Sequence, residues 1–289
     1  MRILVLSDIH HRYKTAQSII ENVKHDRCVL LGDYFDNYAD EDIEAGKTAE
    51  WLLNFVLPNK NIVPLIGNHD QMYFYKDNIN LRCSGYTDHK NIMINSVLTP
   101  DHKKQFKFYH IEEGYLFIHA GLSNGLFKEI SRDFDTKDGE SDFDYVDRVL
   151  GHTVVLNDKL ASSNNDAPLF AAGMDRGGFH RNGGINWVDW NSFSPVKNIN
   201  QIVGHTRQRI PQVRLQNTGG GISGGDITRF YNKLNANKYS SINYAMDTDT
   251  NHYAIVENGV VDFFDSTHHI NLRESKYMNI PDSEMHGLL

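Results

Sequence analysis

The sequence predicts an α/β fold with a polar site along the carboxyl edge of its parallel strands. Two observations predict it. Short apolar runs alternate with stretches of helical period over the first third of the chain, which implies parallel strands joined by right-handed helical crossovers. Five apolar runs end in a glycine or turn followed by Asp, Asn or His, and that edge is where open α/β sheets bind ligands.

Residues 2–7 read as a buried strand leading into Asp8-Ile9-His10-His11. From Tyr13 to His25, Ala16, Ile19, Ile20 and Val23 fall at helical spacing. A second strand, Arg27 to Leu31, leads into Gly32-Asp33-Tyr34-Phe35-Asp36. Residues 40–57 read as the second crossover helix, ended by Pro58. The third strand, 62–66, leads into Gly67-Asn68-His69-Asp70. Residues 71–110 lack a clean period and read as a helical insertion, in which Tyr73, Phe74 and Tyr75 suit either the core or the mouth of the site.

Gly114 to Ile118 forms a strand ending at His119-Ala120-Gly121. Residues 123–170 read as helical, with His152 structural, and 174–184 as a glycine-rich loop carrying Arg176 and Arg181. Ile199 to Val203 is a strand before Gly204-His205-Thr206-Arg207. Residues 215–237, with two glycine clusters, read as a loop. Ser241 to Met246, His252 to Val256 and Val260 to Phe264 follow as strands, and Asn258-Gly259 between the last two is a hairpin signal. The expected organisation is a single domain over 1–265 with helical insertions near 71–110 and 123–185, then a C-terminal arm or tail over 266–289.

The residue types at the strand ends point to metal chemistry. Asp8 and His10 are two apart, so an extended backbone sends both side chains to one side, where they can share an ion. Asn68, His69 and Asp70 together offer a metal ligand, a proton donor and an orienting carboxylate. The whole set is Asp, His and Asn without thiolate, which suits manganese, iron, zinc or nickel.

Composition narrows the rest. A chain of 289 residues buries enough surface to need no disulfides, and its two cysteines, Cys28 and Cys83, suggest no disulfide framework. That usage fits a reducing cytoplasm. No run has the length of a membrane span, and the first apolar run is too short for a signal segment. A formal charge of −8 gives no general attraction to duplex nucleic acid or to an anionic membrane.

Taken in order, Asp8-x-His10, Gly32-Asp33-x-x-Asp36, Gly67-Asn68-His69-Asp70, His119-Ala120-Gly121 and Gly204-His205-Thr206 resemble the calcineurin-like metallophosphoesterase superfamily. The likeness is greatest to its serine/threonine protein phosphatases and to bacterial or phage relatives, diadenosine tetraphosphatases included, some of which act in a bacterial host's cytoplasm. It spans roughly residues 3 to 265, thinly over both insertions. The resemblance implies a four-layer α/β/β/α sandwich and two divalent metal ions, manganese first. Asp33 would bridge both ions; Asp8 and His10 would complete one site, and Asn68, His119 and His205 the other. His69 would be the general acid, oriented by Asp36.

Two departures shape the expected substrate. The protein phosphatases follow the last Asp of the second motif with an arginine that holds phosphate; here that residue is Asn37, leaving Arg176, Arg181 and Arg207 as candidates for phosphate. Many diesterases of the superfamily end in Gly-His-x-His, and here the second histidine is Arg207. The expected activity is therefore hydrolysis of a phosphomonoester, a phosphoprotein before a nucleotide. Dinucleoside polyphosphates, with a base stacked on Tyr34, Phe35 or Tyr73–Tyr75, and phosphorylated nucleic-acid ends are the alternatives. A non-catalytic scaffold comes last, because it has no use for a full ligand set. The sequence names neither the metal nor the oligomeric state.

Overall fold

The computed structural model describes residues 1–37, 40–234 and 238–274. β1 (Arg2–Leu6) is apolar after Arg2 because both its faces are covered, and Ile3, Leu4, Val5 and Leu6 are all fully buried. α1 (Tyr13–Asn22) buries Ala16, Ile19 and Ile20 and stops where Val23 turns extended, three residues short of the predicted end. β2 (Arg27–Leu30) lies parallel to β1, with Ile3 opposite Arg27 and Leu6 opposite Leu30. α2 (Asp42–Trp51) runs on into a π-helical turn over Leu52–Val56, just before Pro58. β3 (Ile62–Pro64) continues the parallel set.

The first expected insertion is mixed. It holds the end of α3 (Asn68–Phe74), then α4 (Asp88–Val97) and α5 (Pro100–Lys103), but closes with a strand, β4 (Tyr109–Glu112), antiparallel to β5 (Tyr115–Ile118). Every residue of β4 is half-buried, so it shows no alternation to read. α6 (Asn124–Ile130) and α7 (Asp142–Ser162) follow, each capped by a serine hydroxyl: Ser123 accepts from Leu126 N and Ser141 from Asp144 N. β6 (Gln201–Val203) comes next.

Of the loop expected over 215–237, residues 215–234 are instead largely strand and helix, and 235–237 lie outside the described residues. β7 (Gln212–Asn217) and β8 (Ile222–Asp226) form an antiparallel hairpin, followed by the short α8 (Ile227–Phe230). Gly220 supplies the left-handed turn between the strands, at φ +90°. β8 has a single apolar side chain, Ile222, so the strand rests on its backbone ladder and leaves no periodicity in the sequence. β9 (Tyr239–Ala245), β10 (His252–Glu257) and β11 (Val260–Asp265) complete the fold. Asn258 and Gly259 turn between the last two with φ of 52° and 73°, the double left-handed geometry of a type I′ turn. Beyond 265 the chain folds back onto β11: Leu272 is buried and its N–H donates to Phe263 O at 2.8 Å. Of the expected tail, 275–289 lies outside the described residues.

Two sheets result, in the orders β11-β10-β1-β2-β3 and β4-β5-β6-β9-β7-β8. They face each other through one apolar cluster, which joins Ile3, Val5, Val29 and Val63 of the first to Phe117, Ile202, Val213 and Tyr244 of the second. The alternate residues Leu4, Leu6 and Leu30 pack with Ile19 and Ile20 of α1 and Ala45 and Ala49 of α2. Leu116 and Ile118 of β5 join the same cluster as Leu126 of α6 and Leu150 of α7. The layers are thus α/β/β/α, and the carboxyl ends of β1, β2, β3, β5 and β6 come to one rim. Among the described residues, no helix is long and apolar enough to cross a membrane.

Candidate active site and metal centre

Each strand end hands a side chain to this rim, and the loops hold one another in place. After β1 and β2, His10 N donates to Asp33 O at 2.8 Å and His11 N to Tyr34 O at 2.9 Å. Asp70 fastens the next loop to these. Its carboxylate accepts from Asp33 N, Tyr34 N and Gly67 N, all at 2.8 Å. Burial and the neighbouring Asp33 push Asp70 up to about 7 against the bonds from Gly67 N and Tyr34 N. Asp70 is therefore the brace of the site rather than the group that orients His69. Gly67 is required where it stands, because a Cβ there would run into the Asp33 side chain.

The backbone of the rim is unusual. Asp8, His10, Asp33, Asp36 and His205 all have left-handed φ, between 42° and 66°. Asp and His tolerate this region better than most residues, and such outliers gather at functional sites.

Two candidate ligand sets meet on one carboxylate. Donor atoms of Asp8, His10 and Asp33 lie within 4.8 Å of one another, and so do those of Asp33, His119 and His205. Asn68 joins the second set: its Oδ1 lies 3.0 Å from His119 Nε2 and 2.8 Å from His205 Nδ1. Two of the histidines are pre-oriented. His10 Nδ1–H donates to Phe35 O at 3.0 Å and His119 Nδ1–H to Leu31 O at 2.9 Å. Each Nε2 is thereby turned toward Asp33, 3.9 Å away for His10 and 3.4 Å for His119. A backbone carbonyl that fixes the far nitrogen is how metal-ligating histidines are usually held. The donors present therefore fit two divalent ions that share Asp33.

The electrostatics agree with a place built for cations. Burial pushes Asp8 well above the usual carboxylate range, and the charge of Asp247 adds to it. Burial also opposes charge on Asp33, but His119 and His69 outweigh it and hold that carboxyl below its usual range. Burial would lower His119, yet Asp33 lifts it to about 9. Burial and then His119 push His205 well below the ordinary imidazole range. Strongly perturbed groups packed together mark a functional site.

Beside the ligands stands His69. Its N–H donates to Asp33 Oδ1 at 2.9 Å, and its Nδ1 donates to Asp36 Oδ2 at 3.1 Å. Burial works against charging it, but Asp33 and Asp36 raise it well above the usual imidazole range. Asp36 also accepts from Tyr73 OH at 2.8 Å and Lys90 Nζ at 2.9 Å. Burial would raise Asp36, but its bonds to His69, Lys90 and Tyr73 hold it down.

The three candidate arginines are placed differently. Arg176 reaches the rim: its Nη2 donates to Thr206 Oγ1 at 3.1 Å, pairs with Asp189 at 2.8 Å, and its charge depresses the neighbouring His205. Arg207 is turned onto Asp249. Arg181 is exposed on the glycine-rich loop. The aromatics do not line the mouth. Tyr34, Phe35 and Tyr73 are fully buried, and Tyr75 stacks on Phe170 and bonds Asp158. Their planes are thus not offered to a base. His152 packs against Phe134, apart from the ligands.

Sequence reasoning missed two residues. Lys90 has no signal, being one lysine in a polar helix. Asp247 had one, because it follows the apolar run Ser241 to Met246 just as Asp8 follows β1.

The profile of the calcineurin-like phosphoesterases matches residues 1–209. The chain belongs to the calcineurin-like phosphoesterase family. As a calcineurin-like phosphoesterase it is a hydrolase of phosphorylated substrates, in a family that depends on divalent metal. Among solved structures it is similar to the cold-active protein-tyrosine phosphatase of a psychrophilic Shewanella species, with a TM-score of 0.53 at 15% identity over 94% of this chain and 80% of that one. A metallophosphoesterase from Sphaerobacter thermophilus gives a TM-score of 0.42 at 14% identity, over 91% of this chain and 87% of that one. A serine/threonine phosphatase from Saccharomyces cerevisiae gives 0.44 at 13%, over 94% and 83%. At such identities the Shewanella likeness is one of fold. No curated protein sequence matches the chain.

Proposed function

We propose that this calcineurin-like phosphoesterase is a phosphomonoesterase of the protein-phosphatase kind, with His69 as its general acid. Asp8, His10 and Asp33 would hold one divalent ion, and Asp33, Asn68, His119 and His205 the other, with manganese suited to this oxygen and nitrogen donor set. Two such ions, when bound, supply Lewis-acid charge and make hydroxide available near neutral pH.

The residues of the chain do the rest. His69 gives a proton to the leaving oxygen. Asp36 holds Nδ1 of that ring at 3.1 Å, which fixes the ring plane and leaves Nε2 as the nitrogen that faces substrate. Tyr73 and Lys90 hold Asp36. Arg176 at the rim is the arginine best placed to meet the phosphate oxygens.

The observation that carries the reading is the His69–Asp36 pair set against Asp33, since a fixed, protonatable imidazole beside the ligand cluster serves a poor leaving group. Arg207, at the position where diesterases carry a histidine, favours monoesters, and the Shewanella neighbour of like fold is a protein-tyrosine phosphatase. Burial of Tyr34, Phe35 and Tyr73 removes the support for a nucleotide base as the recognised group. The test compares 4-nitrophenyl phosphate with bis(4-nitrophenyl) phosphate at saturating manganese. Faster turnover of the monoester is expected; faster turnover of the diester would overturn the reading.

A further inference from the structure

A cavity of about 500 Å³ lies between α7, the end of α3 and the 106–108 segment ahead of β4. Its wall holds none of the candidate metal ligands, and neither His69 nor Asp36. Its apolar part is built from Ile66, Phe74, Phe106, Phe108 and Val154. The rings are fixed by one another. Phe74 meets Phe106 edge-on with centroids 5.0 Å apart, and Phe108 stacks on Phe170 at 4.2 Å. Apolar cavities of ~300–1,000 Å³ with a few placed polar groups are where small ligands bind.

Lys103 supplies the polar group. It lines the cavity, with Nζ 5.5 Å from the centre of the Phe74 ring. An ammonium has three N–H bonds to give. Two go to neutral oxygens, Tyr73 O at 3.3 Å and the side-chain oxygen of Asn95. Among the described residues no carboxylate pairs with Lys103, and the acids on the wall are engaged elsewhere. Asp77 pairs with Lys76 at 3.4 Å, and Asp158 accepts from Tyr75 OH at 2.6 Å. Lys104 pairs with Asp101 at 2.8 Å. The wall thus carries Lys76, Lys103 and Lys104 against Asp77 and Asp158, a cationic excess in a chain of formal charge −8. Burial and the charge of Lys76 both work against the ammonium of Lys103. An anion in the cavity would accept its third N–H and offset both.

We propose that this cavity binds a small organic anion, an apolar or aromatic body carrying one carboxylate that pairs with Lys103. The body covers the phenylalanine faces and the carboxylate meets the ammonium. The site is separate from the phosphoester chemistry and does not depend on the two-ion reading. Phe74 is the last residue of α3, whose first two are Asn68 and His69, so the ligand rests on the helix that carries the proposed acid.

The test is calorimetric titration of the full-length protein, in the presence of manganese, with 4-phenylbutyrate and with the neutral 4-phenylbutanol. Wild type is expected to bind the acid saturably, one per chain. The alcohol should bind about ten- to a hundredfold more weakly, the value of a hydrogen bond to a charged group. Lys103→Met should weaken the acid by a like factor and leave the alcohol unchanged, and Lys103→Arg should restore most of the loss. Val154→Trp fills the cavity from α7 and should abolish binding of both. Melting curves followed by circular dichroism confirm that each variant is folded. Acid and alcohol bound alike by wild type would overturn the proposal, as would no saturable binding of the acid. Acid binding that survives both Lys103→Met and Val154→Trp would also overturn it, by placing the carboxylate elsewhere on the protein.

Discussion

Lys90 and Asp36 form an ion pair at 2.9 Å, with both side chains 4% exposed and 54 positions apart in sequence. The same lysine reaches Asp40 at 3.0 Å and Gly85 O at 3.1 Å. One ammonium from α4 thus sets the carboxylate on which His69 is hung.

Lys90→Met would leave Asp36 and Asp40 without their buried cation. Breaking a buried pair by removing one partner typically destabilises by ~3–5 kcal/mol. The urea midpoint should fall accordingly. In the fraction that remains folded, kcat should drop on alkyl phosphates more than on aryl phosphates, since Asp36 no longer holds its place.

His69→Asn should keep both ions and lose the acid. General acid help is worth ~10²–10⁴-fold, and only a basic leaving oxygen needs it. The loss should therefore be large on a phosphoserine peptide and clearly smaller on 4-nitrophenyl phosphate. Asp36→Asn should repeat the pattern more weakly. Equal losses on both substrates, with metal content intact by elemental analysis, would remove His69 from this role.

Chelation should abolish activity, and manganese should restore it. Asp33 is common to both ligand sets, so Asp33→Asn should harm binding of both ions, whereas His10→Asn should harm one. Metal content per chain after gel filtration separates these outcomes.

Lys103 gives a pH signature away from the metal site. Burial depresses its pKa to about 8, although its Nζ donates to Tyr73 O at 3.3 Å and to Asn95. An unfolded lysine titrates near ~10.4, so between the two values the unfolded chain holds a proton that the folded chain has released. Stability from this residue therefore rises as pH goes from about 8 towards the unfolded value, and its penalty is fully present below about 8. Lys103→Met should abolish that rise. Urea midpoints of both proteins at pH 7, 8, 9 and 10 would show it; parallel curves would contradict it.

Much of the site was legible because its residues follow apolar strands, and the strands are apolar because both faces of each are covered. Asp8, Asp33, Asn68, His119 and His205 are read from β1, β2, β3, β5 and β6 in turn. The roles within the site were less legible. Asp70 looks like a partner of His69 in sequence, but it is spent on three backbone N–H groups. Lys90 becomes meaningful only when α4 is laid beside the loop after β2, a tertiary fact with no local pattern. The β7–β8 hairpin was hidden for another reason: glycine pairs as a strand when its neighbour supplies the ladder, and composition then points the wrong way.

The left-handed backbone at Asp8, His10, Asp33, Asp36 and His205 bears on how the protein can be engineered. Each such residue is held at a cost of ~1–3 kcal/mol that the surrounding structure must override. Glycine has no such penalty there. Replacing a proposed ligand such as Asp8 by glycine would thus remove backbone strain and a buried charge together, and a selection for heat resistance that ignored turnover would drift toward emptying the site. Thermostable variants of this enzyme should be sought among residues away from the rim, with phosphatase activity kept in the screen.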